Sequence, residues 1–278
     1  MITLGNEQRD YGADSFIASG KYPETTFAEL QRTFGEKYDS EAMDKFKEQR
    51  FITNNIAADE RGYVAWKVSR APYGDEESVQ EILYSEEIVG MLFQYMKMLA
   101  EKQAGGFVRD VVITVPSWFT YDQRLMLKDA AEGLAGLNVL QLTHENLGAA
   151  TMLAIDQKIE NDEKQTVLFY NMGGMDTEVT IAEYSMVNVT EKKWSPHVHI
   201  LAEANVRDLG SKDIDIVIVN LLAERFNELP ERAGKPDVRE NVRAVKRLFK
   251  EALKIKETLS ANKFANIKIP ELLDYVTL

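Results

Sequence analysis

Between residues 85 and 99 the apolar positions recur three and four apart, at Ile88, Met91, Leu92, Tyr95 and Leu99. That spacing lines one face of a helix and predicts that the face packs on a core. Ser85 stands where an N-cap belongs, with Glu86 and Glu87 at the positive end of the helix dipole. Gly105-Gly106 stops the helix. The period then changes: Val111-Val112-Ile113-Thr114-Val115, closed by Pro116, is a β-branched run that predicts a buried strand. Thr120-x-x-Gln123 is a capping box for the next helix, and Gly136 stands at its C-terminal end. Val139-Leu140-Gln141-Leu142 predicts a further strand, and Ala149 to Ile155 the helix after it. Strand, helix, strand, helix implies parallel pairing with right-handed crossovers.

Beyond a polar break at Asn161-Asp162-Glu163-Lys164 the pattern differs. Thr166 to Tyr170 and Glu178 to Tyr184 read as a hairpin whose turn holds Gly173-Gly174. Val198 to Ala202 is a third strand, and Ser211 caps an apolar helix through Phe226. The longest helix is expected from about Val238 to Ala261. Val242, Val245, Phe249, Ala252, Ile255 and Leu259 share its apolar face, and Lys246, Arg247, Lys250 and Lys254 a solvated one.

Composition narrows the function classes. A length of 278 residues suits two compact units or one bilobal body. The stretch Ile88 to Met98 is broken by Gln94 and Lys97 and is too short to span a membrane. A net charge of −12 argues against a general nucleic-acid binder, which must neutralise phosphates with Lys and Arg. Zero cysteines exclude disulfides and thiol chemistry and leave the redox compartment open. Met1 to Gly5 carries no basic-then-apolar leader pattern. Asn188-Val189-Thr190 is a glycosylation sequon. Some signals carry little: His197-x-His199 shares a strand face without a third ligand, and Trp66, Trp118 and Trp194 form no base-stacking pattern. Met91, Met96 and Met98 read as core packing.

Adjacent glycines in a tight hairpin turn can present backbone N–H groups to phosphate oxygens, because glycine permits close approach. Alone, Gly173-Gly174 is simply a turn. No G-x-x-x-x-G-K-[ST] and no G-x-G-x-x-G after a strand is present, so neither a Walker loop nor a dinucleotide fold is supported.

The neighbouring segments change that reading. Val115-Pro116-Ser117-Trp118-Phe119-Thr120, Gln123-Arg124, Ala135 to Leu140, Glu145, Asn171 to Thr180, Leu209-Gly210-Ser211-Lys212-Asp213 and Thr258-Leu259-Ser260 resemble the seventy-kilodalton heat-shock protein family, in order and spacing, over essentially the whole chain. Asp237-Val238-Arg239-Glu240-Asn241 and Leu259-Ser260-Ala261-Asn262 look closer to its large endoplasmic-reticulum branch, while the cytosolic large relatives remain an alternative.

The resemblance implies an α/β, actin-like two-lobed ATPase-domain fold, with ribonuclease-H-like sheets and flanking helices, incomplete at both ends and exposing sheet edges. Lobe I is expected over 1–163, divided at 106/107 into outer and inner subdomains, and lobe II over 164–278, divided at 210/211 into inner and outer. ATP or ADP with Mg²⁺ is the implied cofactor. Gly173, Gly174, Met175 and Asp176 fall on the phosphate turn, with Gly210 and Ser211 beside it. Leu253, Lys256, Glu257 and Ser260 fall on the adenosine helix, where the family uses Glu, Lys, Arg and Ser. The metal-associated aspartates fall on Asn171 and Glu178, the catalytic lysine on Gln31 and the water-orienting glutamate on Glu145.

Loss of charge at Asn171 and Gln31 implies nucleotide binding with weak hydrolysis. The implied partners are a conventional lumenal chaperone, whose nucleotide this domain would exchange, and unfolded clients. No nucleic acid or membrane partner is implied. Active hydrolysis on the same fold, a sugar kinase without a visible base, and a pure interaction module that has lost nucleotide are the competing classes.

Overall fold

Residues 1–5, 8–49, 55–70, 79–156, 163–190 and 193–278 are described by the computed structural model. They divide into two compact units, Met1–Leu99 with Lys212–Leu278, and Ala100–Ser211. Of the polar break at Asn161-Lys164, residues 161 and 162 lie outside the described residues.

The first unit opens with β1 (Ile2–Leu4), β2 (Arg9–Tyr11), α1 (Gly12–Ala18), β3 (Thr26–Phe27), α2 (Leu30–Thr33) and α3 (Glu41–Gln49). The short strand β1 lies between β2 and β3, antiparallel to both. Its one polar residue, Thr3, is buried and shares hydrogen bonds of 2.8 Å with the hydroxyls of Ser15 and Thr26. A second antiparallel sheet follows, β4 (Asn55–Ala58), β5 (Val64–Arg70) and β6 (Val79–Tyr84). Ile2, Phe27, Trp66 and Leu83 join the two sheets in one core, with the Trp66 ring edge-on to Phe27 at 5.4 Å.

Helix α4 (Ser85–Ala104) packs Ile88, Met91 and Leu92 on that core, as its spacing predicts, and Tyr95 stacks on Tyr11 at 4.1 Å. Two expectations fail here. Leu99 is 44% exposed, and Met96 and Met98 also face solvent, because the core ends before the helix does. Ser85 does not cap the helix: buried in the packing, its hydroxyl donates to the Val64 carbonyl at 2.7 Å. Glu87 instead accepts from the Tyr84 N–H at 2.8 Å, which satisfies the helix start from the other side.

In the second unit β7 (Asp110–Val115) pairs in parallel with β8 (Asn138–His144), across α5 (Tyr121–Asp129). Both halves of the Thr120/Gln123 capping box form. The chain leaves α5 through a widened turn over Ala130–Leu134 and reverses at Gly136, whose φ of +62° is accessible to glycine. Strand β7 was expected to be buried; only Val115 is, and Val112 is 57% exposed. α6 (Glu145–Asp156) covers one side of this two-stranded pair, and β-branching by itself does not supply cover for the other. Then come β9 (Gln165–Met172), β10 (Thr177–Thr190) and β11 (Lys193–Val206), an antiparallel sheet in the order β11-β10-β9. Ala150 and Ala154 of α6 pack on Ala182 and Tyr184 of β10, and the Tyr184 hydroxyl donates to the Ala150 carbonyl at 2.9 Å.

α7 (Ser211–Asn227) returns the chain to the first unit, where it packs on α8 (Val242–Ala261). α8 starts later than expected. Val238–Glu240 forms a separate single turn under an Asp237 cap, and Asn241 caps α8 by accepting from the Ala244 N–H at 3.0 Å. Its buried face is Ala244, Val245, Leu248, Ala252 and Ile255; Val242 and Leu259 are exposed. Lys246, expected on the solvated face, is half-buried, because α8 also lines a cavity in this unit.

Candidate functional site

The turn between β9 and β10 runs from Gly173 to Asp176, below the paired residues Met172 and Thr177. The Gly173 N–H donates to the Asp176 carbonyl at 2.9 Å, so the turn closes on its own backbone and this N–H is engaged. That corrects the expectation that Gly173 presents its N–H outward. A Cβ at Gly173 would stand 3.3 Å from the Asp176 Oδ1, whereas one at Gly174 would meet nothing within 4 Å.

Gly210 decides the local packing. A Cβ there would stand 2.5 Å from the Met175 nitrogen and 2.6 Å from the Gly174 carbonyl carbon and oxygen. Two backbones touch at that point, and only glycine fits. The Ser211 N–H donates to the Gly173 carbonyl at 2.9 Å, and the Thr177 hydroxyl donates to the Leu209 carbonyl at 2.6 Å. Residues 209–211 therefore clamp the turn.

Three carboxylates lie close by. Glu145 opens α6 and is half-buried; the Asn171 amide donates to its Oε2 at 3.5 Å. Burial raises the Glu145 pKa, and the negative charges of Asp176 and Glu178 raise it further. Asp176 is buried and accepts from the Trp118 indole N–H at 3.0 Å. Glu178 is buried too, and its Oε1 accepts the Ser117 N–H at 2.7 Å and the Ser117 hydroxyl at 2.8 Å. The Arg207 guanidinium lies 4.2 Å above the Trp118 ring centroid. The residues Ser117 and Trp118 thus position the acids, a role that their place after the strand-ending Pro116 could have suggested.

The mutual repulsion at Glu145 is the observation that bears on Mg²⁺, since a cation would relieve it. Among the described residues no three His, Asp or Glu side chains have the spacing to ligate a metal directly. Asn171 is turned to Glu145, and Glu178 Oε1 already has two protein donors. The acids therefore fit a hydrated cation rather than a directly ligated one.

Gln31 and the four α8 positions lie in the other unit. Gln31 is half-buried on α2, between Leu30 and an Arg32 that pairs with Asp213 at 3.1 Å. Leu253, Lys256, Glu257 and Ser260 follow one another along α8. Lys256 pairs with the buried Asp215 of α7 at 2.7 Å, and the Ser260 hydroxyl donates to the Lys256 carbonyl at 3.0 Å. Glu257 is exposed and Leu253 half-buried. Asn188 is exposed on β10, opposite Trp194 of β11. His197 and His199 share a face of β11 with ring centroids 6.4 Å apart, and the residues opposite them are Ser185 and Glu183.

A model of the family described as "Hsp70 protein" matches residues 1–273. The chain belongs to the Hsp70 family. Its fold is that of the Hsp70 nucleotide-binding domain, the actin-like ATPase fold. Among curated Hsp70 relatives, hypoxia up-regulated protein 1 of Xenopus laevis is 35% identical over 276 residues, which cover 98% of this chain and 41% of that protein. The proteins of the same name from Danio rerio and Homo sapiens are 32% and 31% identical, over 98% and 99% of this chain but 27% of theirs. The chain thus spans less than half the length of these relatives. In this Hsp70 domain the Gly210 clamp and the Ser117 and Trp118 contacts are seen only once the chain is folded.

Proposed function

We propose that this chain is the ATP-binding domain of a large chaperone of the endoplasmic-reticulum lumen, one that holds nucleotide, hydrolyses it weakly and promotes nucleotide exchange on a conventional lumenal chaperone. The reading is supported by the clamped Gly173–Asp176 turn, which falls where the family holds phosphate, beside positions that lack the charge hydrolysis needs. The turn is clamped through Gly210 and Ser211, while Asn171 offers an amide and Gln31 no cation.

Magnesium, when bound, would supply the positive charge that organises the phosphates. Glu145 would help hold it through water and orient the attacking water, while Ser117 and Trp118 fix the other two acids. Gln31 brings no positive charge to meet the negative charge that develops in phosphoryl transfer, and such electrostatic stabilisation is usually the largest contribution to catalysis. Lys256, Glu257 and Ser260 would face adenosine, with Leu253 contributing apolar contact. Lobes 1–163 and 164–278 would close on the nucleotide, and closure would set the affinity for client and partner. The name shared by the relatives supports a stress-response role, and the Asn188 sequon supports a lumenal site.

Calorimetry with ATP–Mg²⁺ tests binding; absence of heat would favour an interaction module that has lost nucleotide. Single-turnover hydrolysis tests the rest. The expected rate is at least about a hundredfold below that of a conventional family member, since one missing electrostatic donor costs about that much. A rate equal to such a member would overturn the proposal of weak hydrolysis. ADP release from a conventional lumenal chaperone is expected to quicken when the full-length protein is added, and no effect would remove the exchange role.

A further inference from the structure

His144 ends β8 and stands immediately before Glu145. Its ring has a polar partner on each side. Nδ1 lies 3.2 Å from both carboxylate oxygens of Glu203 on β11, and Nε2 lies 3.3 Å from Arg124 Nη2 on α5. A guanidinium donates hydrogen bonds and cannot accept them. Nε2 is therefore the bare nitrogen that receives the arginine, and the ring proton is on Nδ1, donated to Glu203. The two contacts together select one tautomer of the neutral imidazole.

The same arginine holds the segment that positions the acids. Arg124 Nε donates to the Phe119 carbonyl at 3.0 Å, and Nη2 reaches the Ser117 carbonyl at 3.4 Å. From the same turn the Ser117 N–H and hydroxyl donate to Glu178, and the Trp118 indole N–H donates to Asp176. The Asn205 amide of β11 adds a contact of 3.4 Å to the Ser117 hydroxyl. His144, Arg124 and the turn at 117–119 thus form one hydrogen-bonded chain that ends on two buried carboxylates.

Protonation would reverse one link of it. A second ring proton would sit on Nε2 and point at the guanidinium, so an acceptor becomes a donor and two positive charges face each other. The charged groups around the ring are Arg124 from α5, which opposes the imidazolium, and Glu203 from β11, which favours it; Glu145 follows on α6. Resting on the nucleotide reading above, we propose that His144 is a positioning residue: neutral, it holds Arg124 on the turn at 117–119 and so fixes Glu178 and Asp176, and protonated, it releases the arginine and weakens the hold on ATP–Mg²⁺.

The test pairs calorimetry of the whole chain with ATP–Mg²⁺, at pH 7.5 and 5.5, with nitrogen-15 NMR of the free chain. His144→Gln keeps an acceptor and a donor without a ring that titrates, and His144→Lys carries a permanent charge; thermal unfolding checks that both fold. On acidification the wild type is expected to lose about three- to tenfold more affinity than His144→Gln, the worth of one hydrogen bond. Any contribution of Glu145 is common to both proteins and drops out. His144→Lys is expected to show the weaker affinity already at pH 7.5. In the NMR spectra the Nδ1–H tautomer is expected at pH 7.5. The Ser117 amide and Trp118 indole resonances are expected to move as His144 titrates, and to stay still in His144→Gln. An Nε2–H tautomer, resonances that ignore His144, or the same loss of affinity in wild type and His144→Gln would overturn the proposal. Resonances that follow His144 in a chain with no affinity for ATP would sustain the positioning role while removing the nucleotide reading.

Discussion

A methyl group at residue 210 would be forced to within 2.5 Å of the Met175 nitrogen, a separation that no packed Cβ adopts. Gly210→Ala is therefore expected to push the clamp off the Gly173–Asp176 turn. We expect ATP affinity to fall at least about tenfold and stability by about 1–3 kcal/mol, the usual range for overpacking; calorimetry and urea unfolding measure the two. Glu145 presents the opposite case, a side chain whose environment works against its charge. Its carboxyl has a raised pKa in the folded chain, so at neutral pH its charge opposes folding, and the penalty is relieved as pH falls through the folded value. Glu145→Gln is expected to raise the melting temperature at pH 7.5, with the gain vanishing near pH 4, below the folded pKa; unchanged melting at both values would refute this. The glycine pair at 173–174 was visible in the sequence as a turn. The need for glycine at 210 was not, because it arises from a backbone 35 residues away in sequence, at Met175.

At the scale of elements, the start of α8 is set by two side chains. Asn241 caps the helix through the Ala244 N–H, and Asp237 caps the turn before it. Asn241→Ala is expected to cost about 1 kcal/mol in urea unfolding, the usual worth of an N-cap. The Arg239 guanidinium hydrogen-bonded to Asp237, helped by the Arg239 backbone N–H and by Asn227, holds the Asp237 carboxyl far below the ordinary carboxylate range. A depressed pKa stabilises the fold above the unfolded value, near 4 for aspartate, and the contribution is lost as pH falls toward the folded value. Asp237→Asn is therefore expected to lower stability at pH 7 and to cost progressively less below about pH 4. Unfolding midpoints of both proteins across that range would test the sign. The periodicity of α8 was legible from Val245 onward, where packing follows the 3.6-residue repeat. Its first turn was not, because apolar spacing reaches back to Val238 while the Asn241 cap starts the helix only at Val242.

At the scale of the molecule, one compact unit is built from two distant stretches of chain, Met1–Leu99 and Lys212–Leu278. Arg32, with a side chain 5% exposed, pairs with Asp213 at 3.1 Å, and Glu29 pairs with Lys212 beside it. Removing one partner of a buried pair costs about 3–5 kcal/mol, and Asp213 is partly solvated, so Arg32→Ala is expected to cost roughly 1–3 kcal/mol. Hydrogen exchange should quicken in both stretches at once, at β1 and at the start of α7. Faster exchange confined to residues near 32 would show that the pair does not join them.

Local chemistry was enough to place the strands and helices from Ser85 onward, the hairpin around Gly173-Gly174, the Thr120/Gln123 capping box and the order of motifs that marks the family, but none of the short elements before Ser85. These depend on residues a few positions apart, where spacing and side-chain type act directly on the backbone. The tertiary structure decided what depends on distant neighbours. It exposed Val112 and Leu99, engaged Lys256 with Asp215, seated Ser117 and Trp118 on two acids, and drew Lys246 from the solvated face to a cavity wall. Burial, charge pairing and close backbone contact are set by whatever segment folds alongside, and that partner is not written in the local pattern.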